Sequence, residues 1–184
     1  IHDFHPQISA ILNVTPDHLE HHGTMKAYEE AKARIFMNQT SRDVCVLNAD
    51  DPICVRLAKS CKARVVWFSR SQNLPAGIFP MKTRLPGPHN IENMLAAAAM
   101  ALEGGVSLKV IRTVLETFPG VEHRLEFVRT LDEVDYINDS KGTNVDSTRM
   151  ALASFDRPIL LIAGGQGKGS PYQPLRELVR KRVK

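Results

Sequence analysis

Apolar positions along the chain alternate between short runs and longer stretches with helical spacing. Residues 8–14 (ISAILNV) form a β-branched-rich run that predicts a buried strand. From 24 to 38, Met25, Tyr28, Ala31 and Phe36 recur near helical spacing with charges between them, which predicts an amphipathic helix. Residues 44–47 and 65–68 read as strands. Between them, Asp51 followed by Pro52 is a helix-start signal for a helix running through Ala58. Residues 70–88 are rich in proline and glycine and read as loops or short edge strands. Residues 90–102 (NIENMLAAAAMAL) predict a helix closed by Gly104 and Gly105, and Ser107 caps another reaching about Phe118.

Pro119 and Gly120 interrupt the pattern and mark a domain boundary, giving domains 1–120 and 121–184. Beyond it, 125–129 and 134–137 predict a hairpin around Asp132 and Glu133, and 145–154 a helix. Residues 158–163 (PILLIA) read as a fully buried strand, followed by a glycine loop and a basic helix from about Pro174. Strands alternating with helices predict an α/β fold with mainly parallel sheets.

Composition narrows the class only modestly. Of 184 residues, 43% are hydrophobic and 24% charged, as in ordinary globular proteins. A net charge of +4 does not by itself point to nucleic acid, and it suits small polyanions as well as an uninformative surface. The three cysteines, Cys45, Cys54 and Cys61, form no Cys-x-x-Cys pair, which argues for core thiols in a reducing compartment. No apolar run nears 18 residues, so no membrane insertion is expected. The opening residues read as mid-protein sequence, which predicts a fragment.

Several short segments concentrate chemistry. Residues 13–18 (NVTPDH) leave a predicted strand end, where ligands gather in α/β sheets, so Asp17 and His18 are placed to meet a metal or phosphate; the alternative is a simple turn cap. His21 and His22 lack the partners a zinc site needs. Lys32 lies three residues after Glu29, the spacing of a surface ion pair. Residues 163–170 (AGGQGKGS) look like a phosphate loop, yet Ile162 and Gly169 break the Walker spacing. Lys168 in that turn is an anion contact or part of a structural turn. Residues 138–144 (NDSKGTN) pack a carboxylate, an amine, hydroxyls and amides into one predicted strand-to-helix junction, which serves as a site or as a cap.

Taken together and in this order, these segments resemble the Mur ligase family of ATP-driven amide ligases over nearly the whole chain. The resemblance rests on 13–18, on 22–32 (HGTMKAYEEAK), on 47–51 (LNADD), on 86–90 (PGPHN) with Asn93, and on His123 with Arg124. It implies that 1–120 is the later part of a central ATP- and Mg2+-binding domain and that 121–184 begins a Rossmann-like amino-acid-binding domain. By the same resemblance His18 binds magnesium, Lys32 is the lysine that becomes a carbamate metal ligand, and both are catalytic. Asn90 and Asn93 contact the adenine side of ATP, and Arg124 faces its phosphates.

Residues 139–144 (DSKGTN) resemble the branch of the family that adds D-glutamate. There Asp139 would hold the ribose, and Lys141 and Thr143 would meet phosphate and the incoming amino acid, with Lys141 counted as catalytic. Lys168 would bind a D-glutamate carboxylate, although Gly167 stands where the family commonly has Asp. The implied substrates are UDP-N-acetylmuramoyl-L-alanine and D-glutamate, with ATP and Mg2+ as cofactors. The implied setting is a cytoplasmic monomer in peptidoglycan precursor synthesis. The family's ATP loop, its UDP-binding domain and the end of its last domain are not found in the sequence, so the segment alone is expected to be inactive. The stretch from Arg70 to Arg84 also looks shorter than the family's.

Three other readings remain open. Folylpolyglutamate synthase shares the chemistry, but residues 139–144 argue against it. A non-catalytic nucleotide-binding fragment is the second. A nucleic-acid module is the third, and it rests only on the basic residues 176–184, more simply a solvated helix face.

Overall fold

The computed structural model describes residues 3–16, 19–79, 82–165 and 171–184, with the side chains of Leu19 and Glu20 left out. Two compact units divide the chain: residues 1–82 with 91–117, and residues 83–90 with 118–184.

The first unit holds a three-stranded parallel sheet of β1 (Ile8–Ile11), β2 (Val44–Asn48) and β3 (Arg64–Phe68), in that order. Ile11 pairs with Leu47, and Asn48 with Phe68. All five residues of β2 are buried, the pattern of a central parallel strand covered on both faces. Between the strands run α1 (Leu19–His22), α2 (Met25–Ala33) and α3 (Pro52–Ala58). Cys45 and Leu47 join Ile11, Val14, Tyr28, Phe36 and Cys54 in one apolar cluster. Burial pushes the Cys45 and Cys54 thiols up to about 12, as befits core cysteines.

Local signals explain the helix starts. Thr24 accepts the Ala27 N–H at 3.2 Å, and Asp51 accepts the Cys54 N–H at 2.8 Å with Pro52 at the first position of α3. The amphipathic pattern of 24–38 is split: α2 stops at Ala33 and a tighter turn, Arg34–Phe36, carries Phe36 into the core. Gln39 is buried with its amide fully used. It accepts from Ser9 Oγ and donates to the carbonyls of Pro6 and Val44, which ties the entry to β1 to the start of β2.

The long helix α4 (Pro88–Glu103) starts two residues before the predicted one, because Pro88 is itself a good first residue. Met94, Leu95, Ala98 and Ala99 form its buried stripe. Arg70 pairs with Glu92 at 3.2 Å and Arg64 pairs with Glu103, so this part of α4 runs antiparallel to β3. Such exposed pairs stabilise by at most about 1 kcal/mol, so the apolar stripe dominates. α5 (Leu108–Thr117) completes the unit. No described helix is long and apolar enough to cross a membrane.

The second unit contains the antiparallel hairpin β4 (Glu126–Leu131) and β5 (Val134–Asn138), then α6 (Val145–Ala153) and α7 (Arg176–Arg182). One expectation fails here. Residues 158–163 do not form a buried strand: only Ile159 bridges, parallel to Val183, while Leu160 is 75% and Ile162 100% exposed. An apolar run becomes a buried strand only with neighbours on both sides, and β4 and β5 pair with each other instead. The α/β class and the parallel order therefore reside in the first unit.

Candidate functional site

In the first unit the carboxyl ends of β1 and β2 lie side by side, and the segments leaving them are tied together. Asn48 donates its side-chain amide to the Leu12 carbonyl at 3.0 Å and accepts the Asp50 N–H at 2.9 Å. Asp51 uses one carboxylate oxygen to cap α3 and reaches the Val14 N–H at 3.5 Å with the other. Burial works to raise the pKa of Asp50, but hydrogen bonds from the Ser71 and Ser69 hydroxyls and from the Ser71 and Arg70 N–H groups hold it below the ordinary carboxylate value. The motif at 48–51 is therefore a brace between three strand ends. The segment it braces leads toward His18, which lies outside the described residues, as does Lys168.

Lys32 sits in the last turn of α2 and is exposed. Its expected pairing with Glu29 is not made, because Arg56 takes that carboxylate at 2.9 Å. Lys32 Nζ instead lies 5.3 Å from the centre of the Tyr28 ring, which also packs 4.9 Å from the His22 ring. The amine thus stands at the surface beside an aromatic face, with no carboxylate partner among the described residues.

On α4, Asn90 is buried and donates to the Pro86 carbonyl at 2.6 Å, while Asn93, three residues on, is half-buried. Gly87 precedes them with φ +91°; a Cβ there would come within 2.1 Å of Ser154 Oγ, so only glycine fits this turn.

The second unit gathers Arg124, Asp139 and Lys141. Arg124 is exposed and flanked by two left-handed residues, His123 (φ 65°) and Leu125 (φ 46°), each costing about 1–2 kcal/mol outside glycine. Asp139 Oδ1 accepts the Leu125 N–H at 3.1 Å, and the Lys141 N–H donates to the His123 carbonyl at 2.9 Å. The Lys141 side chain and Thr143 are exposed. Asn144 caps α6 through the Ser147 N–H at 2.8 Å, so the segment is both a cap and a cluster of presented groups. Sequence reasoning placed Asn138 in the 138–144 segment but missed Glu126 and the contact between their side chains behind the Arg124 turn. The only sequence signal was their place opposite one another in a hairpin, which requires knowing its register.

These groups fit a nucleotide. Asp139 Oδ2 has no partner among the described residues, and Gly142 leaves it open, since a Cβ there would lie 2.5 Å away. A carboxylate with one oxygen anchored and one open suits a ribose hydroxyl, and the nearby Arg124 and Lys141 suit phosphates. Among the described residues no group of three His, Cys, Asp or Glu side chains could hold a metal. Magnesium bound with nucleotides takes few protein ligands and completes its shell with phosphate and water.

Residues 1–101, more than half of the chain, match the Mur ligase middle domain. The chain belongs to the Mur ligase family. Among its curated relatives, the UDP-N-acetylmuramoylalanine–D-glutamate ligase of Clostridioides difficile is 50% identical over 202 positions, covering 100% of this chain and 45% of that protein. The ligase of the same name from Koribacter versatilis is 44% identical, again covering 100% of this chain and 45% of its own length. This Mur ligase chain thus spans about half the length of the curated relatives it matches. Among solved structures, MurF from Acinetobacter baumannii superposes with a TM-score of 0.68 at 23% identity, over 80% of this chain and 36% of that one, a likeness of fold.

Proposed function

We propose that this chain acts in an ATP-dependent ligase that joins D-glutamate to UDP-N-acetylmuramoyl-L-alanine, a step of peptidoglycan precursor synthesis carried out in the cytoplasm by a monomer. The observation that carries the proposal is the junction at 139–144: its Asp139 and Lys141 are hydrogen-bonded to the Arg124 turn, and the whole chain aligns with curated D-glutamate ligases.

In this reading Asn90 and Asn93 receive the adenine side of ATP, Asp139 the ribose and Arg124 the phosphates. The substrate carboxylate takes the γ-phosphoryl group, giving an acyl phosphate and ADP. The amine of D-glutamate then attacks the acyl carbon, a proton leaves the nitrogen, and inorganic phosphate departs. Carboxylate and triphosphate repel each other, so Arg124 and Lys141 supply the positive charge that lets them approach. Thr143 and Lys168 position D-glutamate. Lys32, as a carbamate, and His18 would hold Mg2+, which supplies charge neutralisation at the phosphates when bound.

The test is phosphate release by the full-length protein given ATP, Mg2+ and UDP-N-acetylmuramoyl-L-alanine, with candidate amino acids added singly. Release only with D-glutamate is expected. Release only with another amino acid would keep the family and refute the reading of 139–144.

A further inference from the structure

Behind the exposed Arg124, the side chains of Glu126 and Asn138 close a small network that the reaction scheme does not use. The two residues face each other across the hairpin, at the end where β4 begins and β5 stops. Glu126 Oε2 accepts the His123 N–H at 2.8 Å and the Asn138 Nδ2 at 3.2 Å. The same Nδ2 lies 2.9 Å from His123 Nδ1, and Asn138 Oδ1 accepts the Ser140 N–H at 3.1 Å. The Ser140 contact fixes the amide orientation: with Oδ1 turned to Ser140, Nδ2 must face Glu126 and His123. Asn138 therefore bonds to both halves of the site, the left-handed turn that carries Arg124 and the segment that carries Asp139 and Lys141.

We propose that Asn138 and Glu126 are positioning residues for nucleotide binding, holding the His123–Leu125 turn in its left-handed form so that Arg124 is presented beside Asp139. The inference rests on the reading of Arg124 as a phosphate contact. A left-handed turn without glycine persists only where its surroundings hold it. Beside the Leu125 N–H bond to Asp139 and the Lys141 N–H bond to the His123 carbonyl, the turn is held by two N–H donors, one from His123 and one from Asn138, converging on one carboxylate oxygen. Releasing them lets the turn relax and carries Arg124 away from the phosphates, a displacement of the kind that costs binding and rate without touching the chemistry.

The test uses the full-length ligase and Asn138→Asp, which keeps the oxygen facing Ser140 but places a carboxylate oxygen against Glu126. The KM for ATP should rise about tenfold, with the KM for the UDP-linked substrate unchanged within about twofold. Adding Glu126→Gln should return the ATP KM part of the way toward its starting value, because it removes the repulsion between two facing carboxylates, while the one terminal atom that meets both partners then serves either the His123 N–H or the new carboxylate. In an Arg124→Ala background, Asn138→Asp should have no further effect on the ATP KM. An unchanged ATP KM in Asn138→Asp, the full increase persisting without Arg124, or a uniform loss with lowered melting temperature and no rescue by Glu126→Gln would each overturn the proposal. If Arg124→Ala itself leaves the ATP KM unchanged, the phosphate reading of Arg124 falls and this inference falls with it. Failure of the substrate assignment would show separately, as turnover by the unaltered enzyme without D-glutamate.

Discussion

Asn48, the last residue of β2, reaches across to β1 and donates its side-chain amide to the carbonyl of Leu12, 3.0 Å away. Asn48 is 3% exposed, and its own oxygen takes the Asp50 N–H. Replacing it with alanine leaves a carbonyl and an N–H without their partner in a confined place. Asn48→Ala should destabilise the protein by about 1–3 kcal/mol, measured by urea denaturation. Asn48→Asp keeps the acceptor for Asp50 but sets a buried carboxylate oxygen against the Leu12 carbonyl, so it should destabilise at least as much as alanine.

Lys32 supplies the sharpest test of the carbamate reading. Lys32→Arg keeps a cation above the Tyr28 ring, so folding should be unaffected. A guanidinium does not take up carbon dioxide as an amine does. Ligase activity of the full-length protein should therefore fall on the order of a hundredfold, while the melting temperature stays put. Activity that survives in Lys32→Arg would remove the carbamate from the mechanism.

Asp43 links pH to the integrity of the first unit. One of its oxygens accepts from His5 Nε2 and from the Thr40 N–H, both at 2.7 Å, and from the Thr40 hydroxyl at 2.9 Å. The His5 hydrogen bond first, then the Thr40 N–H, bring its pKa down to about 2. An unfolded aspartate titrates near ~3.9, so between these values the unfolded chain binds more protons and stability rises with pH. The stability advantage over Asp43→Asn should thus be full above about pH 5 and shrink as pH falls from about 4 toward 2. A difference that stays flat across that acid range in denaturant titrations would show that the carboxylate charge contributes nothing.

The elements with local signals were legible in the sequence. Asp51 and Pro52 together announce α3, and Thr24, whose signal precedes the apolar spacing of 25–36, caps α2. The junction at 139–144 was legible as a cap, which Asn144 makes; its reading as a site comes from the family resemblance and belongs to the proposal. What the sequence hid depends on distant partners. The run at 158–163 is apolar enough for a core strand, but strand burial depends on neighbours that a run of residues does not encode. The Lys32–Glu29 spacing was right for an ion pair, yet Arg56, 27 residues from Glu29, takes the carboxylate. The left-handed His123 and Leu125 carry no glycine to betray them, and the Glu126–Asn138 contact behind them follows from register alone.

The tip of the hairpin offers a gain in stability. Asp132 and Glu133 both have positive φ, 48° and 61°, and Leu131 pairs with Val134, which makes a two-residue turn of the type that favours Asn-Gly. Neither side chain makes a hydrogen bond among the described residues; Arg157 reaches Glu133 through its backbone carbonyl, which glycine retains. The hairpin's polar ties belong to Asp135, which accepts from Thr130 and from Arg157, both at 2.7 Å, and these survive a change at the tip. Asp132→Asn with Glu133→Gly should therefore relieve backbone strain at both positions and stabilise the hairpin by about 1 kcal/mol, allowing for the entropy that glycine adds to the unfolded chain. Slower amide exchange of β4 and β5 in the double variant is the expected reading. Faster exchange would mean that glycine's freedom in the unfolded chain outweighs the strain it removes.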